Sequence, residues 1–404
     1  MKRRAPRWSE VQRFLGPTLA RRAAAPLARV RTTADFERLA RRRTPRSVFE
    51  YVSGGAERES SLRRSTEAFD RVVFRPHVLR DVGAVDPSTT ILGRPAAFPV
   101  VLGPTGFTRM MRAEGEPAVA RPAARAGIPY ALSTMGTTSP ERLAAAAPDT
   151  DRWFQLYLWK DRARSRDLLA RAEAAGFSTL VLTVDVAAQG GRFRDVYNGL
   201  TIPPTLSLRT LLDMARRPRW LVDVLTTEPL AFEALSATAD PTDLHSLIAS
   251  VFDPRVTMTD VEWLREAWPG QLVVKGCQRV DDAVALAAAG VDGIALSNHG
   301  GRQLDRSATP LELLPAVVDA VDGRTEVYVD GGVRSGADVA AAVALGARAA
   351  FVARPYLYAL MAAGEAGVDH LLALLRQDYV RTLALLGVTS TDALCPDLVT
   401  IGAS

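Results

Sequence analysis

A chain of 404 residues that is 48% hydrophobic and 24% charged suits a soluble protein with a large core. The net charge of +5 is uneven: residues 1–46 contain 14 basic residues against three acidic ones, a net +11, so the rest of the chain carries −6. Two cysteines cannot form a disulfide framework, and no histidine and cysteine cluster has metal-site spacing, so we expect no metal.

The basic part of the chain is an N-terminal arm, residues 1–32. It lacks the apolar stretch of roughly 7 to 15 residues that marks a secretory signal, and no apolar run in the chain approaches the roughly 18 residues of a membrane span. The arm is typical of a solvated, poorly ordered extension, with contact to acidic lipid or a partner protein as the alternative. Without interleaved aromatics it gives no support for nucleic-acid binding. We expect a cytoplasmic protein and leave open peripheral attachment at the inner face of a membrane.

Residues 33–395 are predicted to form one domain. Two short helices open it, at 33–42 and 46–52. Eight β-type runs then alternate with alanine-rich segments of helical period, at 99–103, 128–134, 153–158, 178–185, 271–276, 293–298, 326–331 and 349–354. This alternation predicts the α/β class and a closed (β/α)₈ TIM barrel, in which functional groups gather at the carboxyl ends of the strands.

Polar side chains stand at or just after the end of every predicted strand. In chain order they are Thr105, Ser133, Gln155 with Tyr157, Thr183 with Asp185, Lys275, His299, Asp330 and Arg354. Lys275 is notable because the chain uses three lysines against 47 arginines. A buried cation at a strand end needs an anion or an electron-rich ring beside it.

About 85 residues separate the fourth and fifth strands, far more than a βα loop needs. We assign 199–262 as an insertion. Within it, Leu206 to Phe232 mixes leucine, tryptophan and methionine with four arginines, which predicts either an amphipathic segment that touches a membrane or a lid over the barrel mouth.

The loop after the sixth strand has the composition of a functional site. His299 is suited to accept a proton near neutral pH, and Arg302 presents a planar fork that matches a carboxylate. Gly300 and Gly301 allow the backbone to approach a ligand closely. From this loop alone, a hydrogen-bonded structural histidine is the alternative.

A phosphate site is predicted after the last two strands. Asp330-Gly331-Gly332-Val333-Arg334 opens a helix, and Ala353-Arg354 follows the eighth strand. Helix N-termini present free N–H groups to anions, and barrels often bind phosphate at this position.

The remaining chain is predicted to be mostly helical. Tyr356 to Leu386 should pack along the barrel and contribute to assembly, and residues 396–404 should form a tail. We expect a homo-oligomer, specifically a tetramer.

These motifs resemble the FMN-dependent α-hydroxy acid dehydrogenase and oxidase family, which includes L-lactate dehydrogenase, glycolate oxidase and mandelate dehydrogenase. The most specific match is Ser-Asn-His-Gly-Gly-Arg-Gln-Leu-Asp at 297–305. Supporting matches lie at 51–57, 104–106, 155–157, 182–185, 274–276 and 330–334. The resemblance implies FMN as cofactor and oxidation of an L-2-hydroxy acid, with L-lactate as the best single guess. Electrons would pass from FMN to a quinone, a cytochrome or oxygen.

The resemblance also implies roles for individual residues. The catalytic set would be the base His299, its orienting carboxylate Asp185, Tyr157 and Lys275. Substrate would be bound by Tyr51, Tyr157, Arg192, Arg302 and Met135. FMN would be bound by Thr105, Gly106, Ser133, Gln155, Thr183, Lys275, Ser297, Asp330, Gly331, Gly332, Arg334, Ala353 and Arg354.

Departures from the family pattern leave alternatives open. Val186-Ala187 stand where the family usually has Thr-Pro, and Ala353 replaces a glycine. Met135 stands where some members carry an aromatic residue, which permits an R group larger than methyl. Pro-Thr-Gly at 104–106 resembles members that react poorly with oxygen, which favours a dehydrogenase.

Three other functions are the alternatives: an oxidase of a larger or peptide-derived substrate in a biosynthetic pathway, an FMN-dependent isomerase, and a non-catalytic flavoprotein partner. Arg192 and Arg302 argue against the isomerase, because a diphosphate substrate needs no carboxylate grip.

Overall fold

A closed barrel of eight parallel strands forms the centre of the computed structural model, which describes residues 26–199, 207–228, 230–233 and 252–402. The strands are β1 (Val100–Leu102), β2 (Tyr130–Ser133), β3 (Arg152–Leu156), β4 (Thr179–Thr183), β5 (Gln271–Cys277), β6 (Gly293–Ser297), β7 (Glu326–Asp330) and β8 (Ala349–Val352). The barrel closes where β8 pairs with β1. The predicted (β/α)₈ barrel and its eight strands are therefore confirmed.

The barrel interior is a packed core, because each strand contributes an inward apolar side chain. Those side chains form one buried cluster, whose largest members are Trp153, Tyr328 and Phe351. Their rings meet edge to face with centroids 5.7 to 6.2 Å apart. At the amino end of the strands, a two-stranded hairpin of Thr89–Ile91 and Arg94–Ala96 closes the interior. The carboxyl end alone is left for a ligand.

The helices predicted at 33–42 and 46–52 are present to within one residue. Helices surround the barrel. They are Thr33–Arg43, Arg46–Ser53, Ser60–Asp70, Thr108–Met111, Pro117–Arg125, Pro140–Ala146, Arg162–Ala174, Phe193–Tyr197, Leu208–Ala215, Pro218–Thr226, Met258–Ala267, Val280–Ala288, Pro310–Val321, Gly336–Ala344 and Arg354–Leu386. Among the described residues, Arg354–Leu386 is the one helix long and apolar enough to span a membrane, but 61% of its most apolar window is buried. It is interrupted at Ala363 and Gly364, and it packs on Thr33–Arg43 as a core helix.

The folded domain extends past the boundaries predicted for it. Val30 is buried and its carbonyl accepts a hydrogen bond from His370 Nε2 at 3.0 Å, so the described end of the arm packs on the domain. Val399–Ile401 pairs antiparallel with Val72–Phe74. The boundary at 395 is thus too early, because a three-residue strand gives little periodicity to read. Arm residues 1–25 lie outside the described residues.

Two described helices of the insertion, Leu208–Ala215 and Pro218–Thr226, lie beside the barrel mouth. Trp220 is buried, and its Nε1 donates to Met110 O at 2.9 Å. Arg217 Nε donates to Thr44 O at 3.1 Å. The outer sides of the helices expose five apolar residues, Leu208, Leu211, Leu212, Val222 and Leu225. The segment therefore combines a packed inner face with an apolar outer face.

Candidate active site

One cavity of about 910 Å³ lies at the carboxyl ends of the strands, and all eight strand ends contribute to its wall. Most of the residues predicted from the sequence line it: Tyr51, Thr105, Gly106, Ser133, Met135, Gln155, Tyr157, Thr183, Arg192, Lys275, His299, Arg302, Asp330, Gly331, Gly332, Arg334, Ala353 and Arg354. Asp185 and Ser297 do not line it but are hydrogen-bonded to residues that do. Side chains distant in sequence therefore converge as predicted.

His299 and Asp185 form a hydrogen-bonded pair on one side of the cavity. His299 Nδ1 lies 2.9 Å from Asp185 Oδ1, and the Asp185 side chain is 3% exposed. Burial alone would raise the pKa of Asp185, but His299 and the Lys275 charge outweigh it and hold that pKa below its ordinary value. An ionised Asp185 accepts a hydrogen bond from Nδ1–H of His299, so the imidazole in this tautomer keeps the lone pair of Nε2 for a substrate proton.

The turn that carries His299 is held in an uncommon backbone conformation. His299, Gly300 and Gly301 all have positive φ, at 56°, 62° and 72°. Ser297 Oγ accepts a hydrogen bond from His299 N at 3.0 Å, and Asn298 Oδ1 accepts one from Gly301 N at 3.1 Å. A left-handed histidine is costly and persists only where its surroundings fix it, which is common at functional sites.

Two arginines face the cavity near that pair. Arg302 Nη1 donates to the carbonyls of Tyr51 and Gly54, and its guanidinium lies 4.9 Å from the centre of the Tyr51 ring. Burial lowers the pKa of Arg302, and the charge of Arg192 lowers it further. Arg192 Nε is buried with no hydrogen-bond partner among the described residues. Two neighbouring cations with unused donors favour an anionic ligand.

Tyr157 lies close to the two arginines. Burial and the Asp185 charge raise the pKa of Tyr157. Its hydroxyl is therefore neutral at physiological pH and can donate a hydrogen bond to a ligand.

Lys275, Ser297 and Asp330 form a buried polar triangle. Lys275 Nζ lies 2.7 Å from Asp330 Oδ2 and donates to Ser297 Oγ at 3.0 Å, while Ser297 Oγ donates to Asp330 Oδ2 at 2.7 Å. Burial alone would lower the pKa of Lys275, but the Asp330 and Asp185 carboxylates raise it, so the ammonium stays charged. The predicted partner anion is present. Ser297 was predicted to bind FMN directly, but it does not line the cavity. It is fully buried behind Lys275 and Asp330 and orients both.

Two residues that line the same cavity carry buried donors without partners among the described residues. Gln155 Oε1 accepts hydrogen bonds from Ser133 Oγ at 2.9 Å and from Thr134 N at 3.3 Å, which leaves Nε2 turned away from them. Gln155 Nε2 and Thr183 Oγ1 are buried with no partner among the described residues. An unpaired buried polar group costs about 1–3 kcal/mol, so these two indicate a polar ligand. The Ser133 hydroxyl is already bonded to Gln155 Oε1 and accepts a hydrogen bond from Met135 N at 3.1 Å.

Backbone and two arginines form the end of the cavity beside β7 and β8. Gly331 and Gly332 have φ of 127° and 86°, and a Cβ on Gly332 would lie 2.0 Å from Ser65 O, so only glycine fits there. Arg334 and Arg354 line this end. Burial, together with the charges of Arg302 and Arg334, lowers the pKa of Arg354 to about 9. An anion between the two arginines would relieve that repulsion.

The helix that follows differs from the predicted phosphate cradle. Asp338 Oδ2 accepts hydrogen bonds from Arg334 N at 2.7 Å and from Ser335 N at 2.9 Å. The capping box of Gly336–Ala344 therefore already uses these N–H groups. An anion at this end would therefore be bound by the arginines and by the backbone of the glycines.

An aromatic wall completes the cavity and was not predicted from the sequence. Phe107 and Phe232 meet edge to face with centroids 4.5 Å apart, and Phe252 packs against Tyr157 at 4.9 Å. Met135 belongs to the same apolar cluster. Phe107 follows Pro-Thr-Gly directly and could have been found from that motif. Phe232 and Phe252 lie in the insertion, whose path over the barrel has no sequence signature.

Comparison with known proteins gives consistent matches over nearly the whole chain. A family model described as FMN-dependent dehydrogenase matches residues 40–401. The putative L-lactate dehydrogenase of Mycobacterium tuberculosis is 51% identical over 383 residues, which are 95% of this chain and 91% of that protein. The L-lactate dehydrogenase of Caulobacter vibrioides is 44% identical over 364 residues, 89% of this chain and 94% of that one.

Solved structures agree with these matches. The structure of the monotopic membrane protein (S)-mandelate dehydrogenase has a TM-score of 0.88 and 38% sequence identity to this chain. The match covers 92% of this chain and 100% of that one.

Proposed function

The chain belongs to the FMN-dependent dehydrogenase family, and we propose that it oxidises an L-2-hydroxy acid to the 2-oxo acid, with L-lactate as the first substrate to test. The observation that carries the proposal is the meeting of a hydrogen-bonded His299–Asp185 pair with Arg192 and Arg302 in one cavity. A base beside two cations is what a substrate with a hydroxyl and a carboxylate on the same carbon requires.

The residues present fit FMN. When bound, FMN supplies the two-electron acceptor for the substrate. The unpaired donors Gln155 Nε2 and Thr183 Oγ1 would bond the polar edge of its ring. Lys275 would provide positive charge where the ring gains negative charge on reduction, and Arg334 and Arg354 would bind the phosphate.

The substrate carboxylate would be bound by Arg192 and Arg302. Burial and the charge of Arg192 lower the pKa of Arg302. An anion bound there would stabilise the charged form of the Arg302 guanidinium. Tyr51 and Tyr157 line the same part of the cavity and would hydrogen-bond the carboxylate and the hydroxyl. Two fixed cations orient the substrate as well as attract it, which reduces the entropy that the reaction must lose.

His299 would accept the proton released in the reaction at Nε2. The Asp185 carboxylate, 2.9 Å from Nδ1, would stabilise the imidazolium that forms and hold the ring in one tautomer. Both groups are fixed by their surroundings before substrate arrives, so little reorganisation accompanies proton transfer.

Anaerobic mixing of the holoprotein with 2-hydroxy acids tests the proposal. L-lactate and L-mandelate should bleach the flavin absorbance band, and D-lactate, the matched control, should not. The absence of bleaching with every L-2-hydroxy acid tried would refute the proposal and reopen the isomerase. A preference for L-mandelate would instead support the second candidate, a larger substrate, whose basis is the wall of Phe107, Phe232 and Met135.

The apolar outer face of helices Leu208–Ala215 and Pro218–Thr226 supports our proposal of peripheral membrane attachment. We propose a quinone as the acceptor, because quinones dissolve in the bilayer. Leu208 and Leu225 are each 73% exposed, with the exposed arginines Arg216 and Arg219 nearby. Phe193 and Val196, at the cavity wall, are also more than half exposed. A mixture of apolar and cationic side chains suits the surface of an anionic bilayer.

Sedimentation with anionic vesicles tests the attachment. The wild type should co-sediment, and L208E/L225E should stay in solution with unchanged flavin reduction by L-lactate. A soluble quinone should reoxidise the flavin faster than oxygen does, because the proposed function is a dehydrogenase. We also propose a homo-oligomer, a tetramer, which sedimentation velocity measures directly.

A further inference from the structure

The side chain of Gln303 is bonded entirely to one neighbouring segment. Its Nε2 donates to Asp185 O at 3.0 Å and to Ala188 O at 2.8 Å, and its Oε1 accepts from Gly190 N at 3.2 Å. Gln303 is 9% exposed, so these bonds are shielded from water. Both amide hydrogens and the amide oxygen are therefore used on the backbone of residues 185–190, which we call the Asp185 segment.

The Asp185 segment has little else to fix its conformation. Among the described residues, the backbone N–H groups of 186–189 have no acceptor. Val186 and Ala187 carry no polar side chain, and the segment contains no proline to restrict φ. The segment is nevertheless packed closely against the residues around it. A Cβ atom added to Gly190 would lie 2.3 Å from Arg302 O. The segment thus rests against the 299–303 turn, and Gln303 supplies the directional bonds between them.

Both ends of the Asp185 segment carry charged groups of the site. Asp185, at its start, is paired with His299, and Arg192 follows its end and lines the cavity. His299, Arg302 and Gln303 belong to one continuous turn. A change in the segment would therefore move Asp185 relative to His299 and Arg192 relative to Arg302 together.

We propose that Gln303 is a positioning residue, which sets the Asp185 carboxylate against His299 and Arg192 against the carboxylate of the substrate. The inference rests on the proposed function, since it concerns how the same site is held. Gln303 does not line the cavity and so acts through these two residues. A displacement of about 1 Å in such groups can reduce rates a hundredfold.

Gln303→Met tests the inference, because it keeps the side-chain length and removes all three hydrogen bonds. We expect the variant to retain FMN, and its kcat/KM for L-lactate to fall about 10- to 100-fold, with KM raised and kcat lowered. The dissociation constant of oxalate, an unreactive carboxylate ligand followed by its effect on flavin absorbance, should rise about tenfold. Gln377→Met, at an exposed position of helix Arg354–Leu386, is the matched control and should leave all three quantities unchanged.

A double-mutant cycle separates positioning from general structural support. Arg192→Lys should weaken oxalate binding strongly in the wild type and much less in Gln303→Met, because Arg192 is already displaced there. Additive effects, or a kcat/KM of Gln303→Met within twofold of wild type, overturn the inference. If Gln303→Met loses FMN, Gln303→Asn is measured in the same way, and loss of FMN in both variants also overturns it. If no L-2-hydroxy acid reduces the flavin of the wild-type protein, the proposed function is refuted instead.

Discussion

The Asp185→Asn substitution tests the charge that supports the proposed base. Asparagine keeps the shape of the side chain and an oxygen that can accept a hydrogen bond from His299 Nδ1–H, so the 2.9 Å contact can persist. What is lost is the negative charge. Because Asp185 is 3% exposed and the His299 side chain 24% exposed, water screens the pair only in part.

The size of the effect follows from that geometry. Two unit charges about 4 Å apart interact by about 4 kcal/mol at an effective dielectric constant near 20. The neutral hydrogen bond that asparagine keeps contributes roughly 1 kcal/mol. A net loss of about 3 kcal/mol of imidazolium stabilisation corresponds to a rate lower by about a hundredfold.

Anaerobic stopped-flow reduction of the flavin at saturating L-lactate measures this rate directly. Asp281→Asn is the matched control, because Asp281 pairs with Arg279 at an exposed position outside the cavity. In a His299→Gln background the Asp185→Asn substitution should have almost no further effect, since the charge acts through the imidazole. A single variant that is reduced within threefold of the wild-type rate would refute the electrostatic account.

Three further substitutions test the other parts of the site. His299→Gln should keep FMN bound and lower turnover by several orders of magnitude, measured as steady-state kcat with flavin content determined by absorbance; normal turnover would remove the proposed base. Lys275→Met should lower the midpoint potential of bound FMN, because it removes the cation that we propose lies beside the reduced ring, and potentiometric titration that finds no change would contradict this role. Arg334→Ala should raise the dissociation constant of FMN at least tenfold with kcat of the loaded enzyme retained, measured by fluorescence titration; unchanged affinity would exclude Arg334 from the phosphate site.

The barrel could be predicted because its strands repeat one simple pattern. Runs such as Gly293–Ser297 are short, apolar and buried on both faces, and each is followed by a helical segment. Parallel strands bring their carboxyl ends to one edge, so the polar residues after each run had to meet. His299, Lys275 and Asp330 were found on this basis, with the family resemblance supplying their roles.

Other features could not be predicted, because they depend on contacts between distant segments. Ser297 is polar and ends a strand, as a residue that binds FMN would, but its hydroxyl is bonded to Lys275 and Asp330 behind the cavity. Asp338 bonds the N–H groups that a phosphate was expected to use, although its Ser335-x-x-Asp338 spacing is a capping signal that could have been recognised. Phe232 and Phe252 reach the cavity from the insertion, where no periodicity indicates a path.

The pairing of Val72–Phe74 with Val399–Ile401 has a consequence for biosynthesis. Val72–Phe74 is synthesised long before Val399–Ile401, so this small sheet cannot form until the barrel between them has been made. Contacts of such large sequence separation form slowly. Nascent chains would therefore carry the unpaired edge of Val72–Phe74 until Val399–Ile401 has been made, a period in which binding by a chaperone would protect them from association with one another.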